Sequence, residues 1–151
     1  LCVPPTSEAG TMDVLYTAEA TSSGGREGRV RTADGVIDLP LSMPKELGGL
    51  GKPGTTNPEE LFAAGYAACF ENAMLRAARE RKIRPTATAV TARVGIGRMD
   101  SGRFGLKVDL AVSLEGIERA EAEALAAAAH EEICPYSRAT RGNIDVSVTV
   151  V

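Results

Sequence analysis

A long helix with a clear start signal is the feature that most restricts how this chain can fold. Asn57 fits the N-cap position, Pro58 fits the first helical position, and Glu60 could close a capping box. The pattern predicts a helix that continues to about Arg81. Its uncharged stretch LFAAGYAACF, at 61–70, is about half as long as a membrane span. We therefore expect a helix buried in a protein core and no membrane partner.

Segments with alternating apolar residues lie on both sides of this helix. Strand-like patterns occur at 14–21, 29–32 and 36–41 before it, and at 87–97, 104–114 and 143–151 after it. An Ala- and Glu-rich second helix is expected at 117–134, because Pro135 follows it. The order β-β-β-α-β-β-α-β predicts an α+β fold in which two helices pack on a mainly antiparallel sheet. One face of the 104–114 strand should carry Phe104, Leu106, Val108, Leu110, Val112 and Leu114.

The length of 151 residues fits one domain or half of an interlocked dimer. We expect residues 12–151 to form a single domain, with residues 1–11 as a flexible leader or expression remnant. Cys2, in that leader, is expected to be an incidental thiol. The leader lacks a basic region followed by a long apolar core, so it does not resemble a secretory signal. A cytoplasmic protein is therefore predicted.

Charge and rare residues exclude several functional classes. The formal charge is −3 and no basic block occurs, so nucleic acid is not an expected partner. The chain has one His and three Cys, which excludes a multi-His metal centre and a disulfide scaffold. Chemistry in this protein, if there is any, should use sulfur.

Cys69 in the buried helix allows two interpretations. Among apolar neighbours, desolvation should raise its pKa and leave it an inert, small hydrophobic residue. A reactive thiolate would require a nearby cation, since lowering the pKa from about 8.5 to 6 corresponds to about 3.4 kcal/mol. Cys134, at a helix C-terminus, is a poor first nucleophile but could attack an oxidised partner sulfur. Its other interpretation is a cysteine without a role.

Three further residues have an ordinary and a functional interpretation. His130 lies four residues before Cys134 and could complete a zinc site with it and Cys69, but a surface or core histidine is the simpler alternative. Arg26 lies in a Gly-rich loop, and Glu59 occupies the second helical position, where the helix dipole already favours it. Spacing alone does not assemble these residues into a site.

Two long motifs resemble those of the organic hydroperoxide resistance proteins, in the wider family that includes the osmotically inducible peroxidases. The motifs are NPEELFAAGYAACF around Cys69 and AHEEICPYSRATRGNIDV around Cys134. VLYTAEATSSGGREG and RVGIG match the same family, and the resemblance covers 13–151. It implies a fold of antiparallel sheets packed on two central helices, and an intertwined homodimer whose active sites lie at the subunit interface.

The resemblance also implies a cysteine-based peroxidase that uses no cofactor and no metal. Cys69 would be the peroxidatic thiolate and Cys134 the resolving cysteine. Arg26 would hold Cys69 as thiolate, and Glu59 would pair with Arg26. The substrate would be an alkyl or fatty-acyl hydroperoxide, in a pocket with Phe62, Tyr66 and Phe70 as candidates, which could equally be plain core. A lipoyl-bearing protein or another dithiol would be the reductant.

The sequence departs from the family pattern without losing a catalytic residue. Two Thr precede Asn57 instead of one, and AHEEIC has one residue more between His130 and Cys134, which could distort the turn there. Arg138 stands where small or amide residues are common, which could alter reductant docking. Two other functions stay open: a dimeric module that binds hydrophobic ligands, and a zinc-binding or redox-sensing protein.

Overall fold

The computed structural model describes residues 12–151, which divide into two compact units. The first unit ends at Thr56, and the second runs over Asn57–Val151. Cys2 and the expected leader at 1–11 lie outside the described residues. No described helix is both long enough and apolar enough to cross a membrane.

The first unit contains a small antiparallel sheet of three strands in the order β1-β2-β3. The strand predicted at 14–21 is wrong for most of its length, because only Ala20 and Thr21 lie in β1. Ala20 pairs with Thr32, the last residue of β2, so residues 12–18 have no strand in this sheet to pair with. The elements are β1 (Ala20–Ser23), a 3₁₀ turn (Gly25–Glu27), β2 (Arg29–Thr32), β3 (Asp38–Pro40) and a second 3₁₀ turn (Lys45–Leu47).

The second unit begins with the predicted helix. The side chain of Asn57 accepts a hydrogen bond from the backbone N–H of Glu60 at 2.9 Å, which is the expected N-cap. Prediction and structure agree within one residue at the end of this helix. The elements are α1 (Pro58–Glu80), β4 (Ala87–Arg98), β5 (Phe104–Glu115), α2 (Arg119–Ala128), a π-helix (Ala129–Ile133), α3 (Pro135–Thr140) and β6 (Asp145–Val150).

The second unit contains a sheet in the order β4-β5-β6. β4 and β5 form an antiparallel hairpin, whereas β6 runs parallel to β5 because helical segments connect them. The expected alternation of β5 is confirmed in its inner half, where Val108, Leu110, Val112 and Leu114 are buried. Phe104, at the open end of the hairpin, is 58% exposed.

The core of the second unit lies between the helices and this sheet. Tyr66, Phe70 and Met74 on α1 and Leu125 on α2 are fully buried in one cluster with the inner residues of β5. The predicted α+β class, with two helices on a mainly antiparallel sheet, is confirmed. The second predicted helix, at 117–134, is α-helical over Arg119–Ala128 and continues as the π-helix. The short helix α3 was not predicted, since Pro135 was interpreted only as the end of the preceding helix.

Candidate active site

Cys69 lies about three turns into α1 and is half-buried. Burial raises the pKa of its thiol to about 11, a hydrogen bond from the backbone N–H of Tyr136 lowers it, and the neighbouring Cys134 raises it. Burial dominates, as the apolar sequence around Cys69 predicted. A thiolate at this position therefore needs further stabilisation by a positive charge.

Cys134 lies beside Cys69, although 65 positions separate them in the chain. The Cys134 thiol donates to Cys69 Sγ at a sulfur–sulfur distance of 3.6 Å, and both residues are free thiols. A disulfide has a sulfur–sulfur distance of about 2.05 Å, so a modest displacement of the side chains would join them. Cys134 is 2% exposed, so that it is far less accessible than its partner.

A π-helix over Ala129–Ile133 delivers Cys134 to this position. The backbone N–H of Cys134 donates to the carbonyl of Ala129 at 2.8 Å, five residues earlier. Arg141 donates to the carbonyls of His130 at 2.7 Å and Glu131 at 2.9 Å. The wider turn accommodates one more residue than an α-turn. It therefore lies where the additional residue of AHEEIC was expected to cause a distortion.

Three buried hydroxyl groups, which we call the hydroxyl cluster, connect α3 to α1. They belong to Tyr66, Ser137 and Thr140. The Tyr66 hydroxyl lies 2.9 Å from Ser137 Oγ and 3.1 Å from Thr140 Oγ1. Thr140 Oγ1 also donates to the Ser137 carbonyl at 3.1 Å. Each hydroxyl is thus paired inside the apolar core, where an unpaired one would cost about 1–3 kcal/mol.

His130 extends the hydroxyl cluster on the side of the π-helix. Its Nδ1 lies 3.0 Å from Ser137 Oγ. Burial lowers the pKa of His130, the positive charge of Arg141 lowers it further, and Glu131 opposes both. Among the residues that the structure describes, no three Cys, His, Asp or Glu side chains are grouped to hold a metal ion. The alternative zinc site of Cys69, His130 and Cys134 is therefore not formed.

The aromatic residues that the sequence assigned to a substrate pocket differ in burial. Tyr66 and Phe70 are 0% exposed, whereas Phe62 is half-buried and packs against the core. The rings of Phe62 and Tyr66 meet edge-on at 5.9 Å between centroids, and those of Tyr66 and Phe70 at 6.5 Å. Two of the three candidates are thus core residues in this structure, and the pocket stays a prediction.

Tyr136 is a member of this group that the sequence reasoning missed. Its ring centroid lies 5.8 Å from that of Tyr66 and 6.4 Å from that of Phe62, and the residue is 41% exposed. Its backbone N–H is also the one that donates to Cys69. Its place two residues after Cys134, in CPYS, was the signal that could have identified it.

Arg26 and Glu59 lie in different units of the chain. Arg26 is half-buried in the 3₁₀ turn Gly25–Glu27, which follows Gly24 in the left-handed conformation with φ 75°. Glu59 is half-buried in the first turn of α1. Both residues take part in interactions of their own. Their expected pairing over Cys69 stays a prediction.

A family model described as OsmC-like protein matches residues 51–149 of the chain. The chain is also 51% identical over 138 residues to the organic hydroperoxide resistance protein of Xanthomonas axonopodis pathovar citri. That alignment covers 91% of this chain and 95% of the relative. The matched range includes the positions of both Cys69 and Cys134.

Two crystal structures of similar chains have the same fold. One is an organic hydroperoxide resistance protein from Legionella pneumophila, with 49% identity and a TM-score of 0.85, covering 91% of this chain and 98% of its own. The other is the organic hydroperoxide resistance protein OhrB of Bacillus subtilis, with 42% identity and a TM-score of 0.83, covering 91% and 100%. Similarity at this level extends to the order and the packing of the elements.

Proposed function

Because this chain belongs to the OsmC-like family, as a close relative of its organic hydroperoxide resistance proteins, we propose that it reduces organic hydroperoxides with its two adjacent thiols. The observation that carries the proposal is the 3.6 Å distance between the sulfurs of Cys69 and Cys134. Two cysteines that only filled the core would not need to meet. A shared contact is what an intramolecular disulfide requires.

The first step assigns the nucleophile to Cys69, the more accessible of the two sulfurs. Its thiolate attacks one peroxide oxygen of ROOH, the O–O bond breaks, and the leaving alkoxide takes up a proton to become the alcohol. Cys69 is oxidised to sulfenic acid and the peroxide is reduced. The half-buried position of Cys69 supports this order, because the peroxide must reach the first sulfur but not the second.

The second step assigns the resolving role to Cys134. Its sulfur, as thiolate, attacks Cys69 Sγ, the S–O bond breaks, and the hydroxide leaves as water after protonation. The product is a Cys69–Cys134 disulfide. An external dithiol restores both thiols by exchange and becomes a disulfide itself. We propose a lipoyl-type dithiol as the reductant, on the resemblance alone.

Arg26 and Glu59 complete the proposed mechanism. Burial keeps the pKa of Cys69 at about 11, so that little thiolate would form near neutral pH. We assign Arg26 the role of the cation that favours the thiolate, and Glu59 the role of the carboxylate that orients Arg26. Their side chains provide the charges that this chemistry needs.

The substrate class follows from the apolar surroundings of Cys69. Phe62 and Tyr136 are the partly exposed aromatic residues of the group that also contains Tyr66. An alkyl or fatty-acyl chain would bury apolar surface against such side chains, and hydrogen peroxide would not. We therefore expect a larger kcat/KM for cumene hydroperoxide than for hydrogen peroxide.

Replacement of each cysteine tests the function. Cys69→Ser should abolish turnover of cumene hydroperoxide with a dithiol, because the nucleophile is lost. Cys134→Ser should consume about one peroxide per Cys69 and then stop, because the sulfenic acid has no intramolecular partner. Cys2→Ser is the matched control and should retain the wild-type rate. Full activity of Cys69→Ser would overturn the proposal.

The two remaining alternatives give different results in the same assay. A hydrophobic-ligand module would bind apolar ligands, but neither the wild type nor the Cys134→Ser variant would consume peroxide. A redox sensor would form the Cys69–Cys134 disulfide but would not be reduced through many cycles. The expected homodimer is part of the proposal, and light scattering after size exclusion should give twice the mass of one chain.

A further inference from the structure

We propose that Ser137, through the hydroxyl cluster and His130, positions Cys134 for its attack on oxidised Cys69. This inference rests on the proposed function and concerns its second step. Ser137 is not a catalytic residue in this proposal, because its hydroxyl is paired with Tyr66 and His130 and not with a sulfur. It acts on the backbone that carries one of them.

Ser137 tethers the Cys134 segment at two points. Its hydroxyl lies 2.9 Å from the Tyr66 hydroxyl on α1 and 3.0 Å from His130 Nδ1 in the π-helix. In the chain, Cys134 thus lies between His130 and Ser137, which are joined by a hydrogen bond to the fully buried Ser137 hydroxyl. The segment has no regular α-helical ladder across Cys134, whose φ and ψ are −71° and 117°. The side-chain tethers therefore replace part of the order that a continuous helix would supply.

A close contact on α1 holds the same segment from another side. A Cβ atom at Gly65 would lie 3.3 Å from the Tyr136 ring, so the missing side chain lets the ring lie against the helix. Gly65 precedes Cys69 by four residues and is on the same helix face. Tyr136 lies between Cys134 and Ser137, so its packing and the hydroxyl tether act on one short stretch of chain.

The fate of the sulfenic acid depends on this positioning. Cys134 can attack Cys69 Sγ with loss of hydroxide, which gives the disulfide. A second ROOH can instead transfer one oxygen to the sulfenate, which gives sulfinic acid and ROH, and this product is not recovered by thiols. An ordered Cys134 near its target makes the intramolecular step faster. A loosened segment should therefore increase the share of sulfinic acid.

Ser137→Ala removes the tether without leaving a buried hydroxyl unpaired. The Tyr66 hydroxyl keeps Thr140 Oγ1 at 3.1 Å, and Thr140 Oγ1 keeps the backbone carbonyl at position 137 at 3.1 Å. His130 is half-buried, so its Nδ1 can form a hydrogen bond with water instead. The variant should therefore fold. Ser147→Ala is the matched control, because Ser147 Oγ donates to Asp109 Oδ1 at 2.6 Å on an exposed face of the sheet.

The readout is the ratio of sulfinic acid to disulfide at Cys69, measured by intact mass after addition of excess cumene hydroperoxide. We expect Ser137→Ala to raise this ratio about fivefold, the factor that corresponds to one hydrogen bond of about 1 kcal/mol. Ser147→Ala should match the wild type. Tyr66→Phe, which removes the other end of the tether, should raise the ratio as well. The double variant should raise the ratio by less than the product of the two single-variant factors, because both changes remove the same tether.

The outcomes separate this inference from the proposed function. If the wild type formed no disulfide with peroxide, the proposed function would fail before the tether is tested. If the wild type formed the disulfide and Ser137→Ala gave the wild-type ratio, the positioning role would be overturned. Equal slowing of sulfenic acid formation and of disulfide formation would also overturn it, because a general loss of structure affects both steps.

Discussion

Two thiols that lie 3.6 Å apart are held by very different pieces of backbone. Cys69 is part of the 23-residue helix α1, whose hydrogen bonds continue on both sides of it. Cys134 lies between a five-residue π-helix and the six-residue helix α3, with an extended φ and ψ. One sulfur is half-buried and the other is buried.

The contrast indicates which part of the site can adjust. A regular helix packed in the core positions its side chain through many equivalent hydrogen bonds, and removing one changes little. The Cys134 segment depends on a few specific contacts, from Arg141, Ser137 and the proline that follows Cys134. The sulfur that must move towards its partner is therefore on the less regular backbone. Variants that remove these few contacts should therefore change the position of Cys134.

The largest expected effect is on the ionisation of Cys69, the more accessible of the two sulfurs. If Arg26 supplies the positive charge, Arg26→Ala should raise the ionisation midpoint of Cys69, because burial already disfavours its thiolate. At neutral pH the thiolate fraction falls about tenfold for each unit by which the pKa rises, so reaction with peroxide should slow by at least about tenfold. Thiolate absorbance against pH measures the midpoint, in a Cys2→Ser, Cys134→Ser background.

Arg31→Ala, on strand β2 of the same unit, is the control for this experiment. It removes an arginine whose side chain is not assigned to the site, so its midpoint should match that of the background protein. Identical midpoints for Arg26→Ala and Arg31→Ala would remove Arg26 from the mechanism. The contrast in accessibility between the two sulfurs would then be the main difference between them.

The second effect is on stability, and it compares a side-chain contact of the irregular Cys134 segment with one on the regular helix α1. Arg141→Gln removes the donor to the carbonyls of His130 and Glu131, and should lower the free energy of unfolding by about 1 kcal/mol. Arg76→Gln removes an exposed pair with Glu80 on α1 and should cost about 0.3–0.5 kcal/mol. Urea unfolding measures both. Equal losses would show that the π-helix does not depend on Arg141.

The third effect concerns the contact between Gly65 on α1 and the Tyr136 ring, where one substitution should change unfolding stability and disulfide formation differently. Gly65→Ala adds a methyl group 3.3 Å from the Tyr136 ring, which is exposed enough to shift by a few tenths of an ångström. Alanine in a helix interior is favoured over glycine by about 1 kcal/mol. Unfolding stability should therefore be unchanged or higher.

Disulfide formation in Gly65→Ala should nevertheless slow by about threefold, because the Cys134 segment is displaced from α1. Stopped-flow mixing of reduced protein with peroxide measures this rate. Ala67→Gly, in the same helix, is the control for the helix-propensity term alone. A Gly65→Ala variant that forms the disulfide at the wild-type rate would show that the segment tolerates more displacement than its few contacts indicate.

The smallest effect is on the charge of His130, the single histidine of the chain. Burial and Arg141 lower its pKa, so the folded state binds its proton less readily than the unfolded state does. Its contribution to stability is present above the unfolded pKa of about 6.5 and is lost as the pH falls through the folded pKa. Proton NMR should give a midpoint below 6.5, and Arg141→Gln should raise it. A midpoint at or above 6.5 would contradict the burial of His130.

Local patterns were sufficient to predict most of the second unit. Helix α1 was located from Asn57 and Pro58, because a cap and a fixed φ act on neighbouring residues only. Strand β5 was located from its alternation for the same reason. The strand expected at 14–21 was wrong because a strand also needs a partner, and β2 ends before it can supply one. Helix α3 was missed because a proline that ends one helix can also start another.

The site was predictable in its members more than in its arrangement. The family motifs identified Cys69 and Cys134 as a candidate pair, and local physics predicted the raised pKa of Cys69. Neither source predicted that Tyr66, assigned to a substrate pocket, would pair its hydroxyl with Ser137 and Thr140 inside the core. Ser137 and Thr140 lie more than 70 positions from Tyr66, so no local pattern connects them to it.

The sequence by itself therefore determined the class of fold, the two sulfurs and the apolar surroundings that make Cys69 a weak acid. These properties depend on the order and the chemistry of neighbouring residues. Only the tertiary structure decided that the sulfurs meet, that a π-helix leads to Cys134, and that buried hydroxyl groups connect that segment to α1. Distances between remote residues depend on how whole helices and sheets pack, and packing is a property of the entire unit.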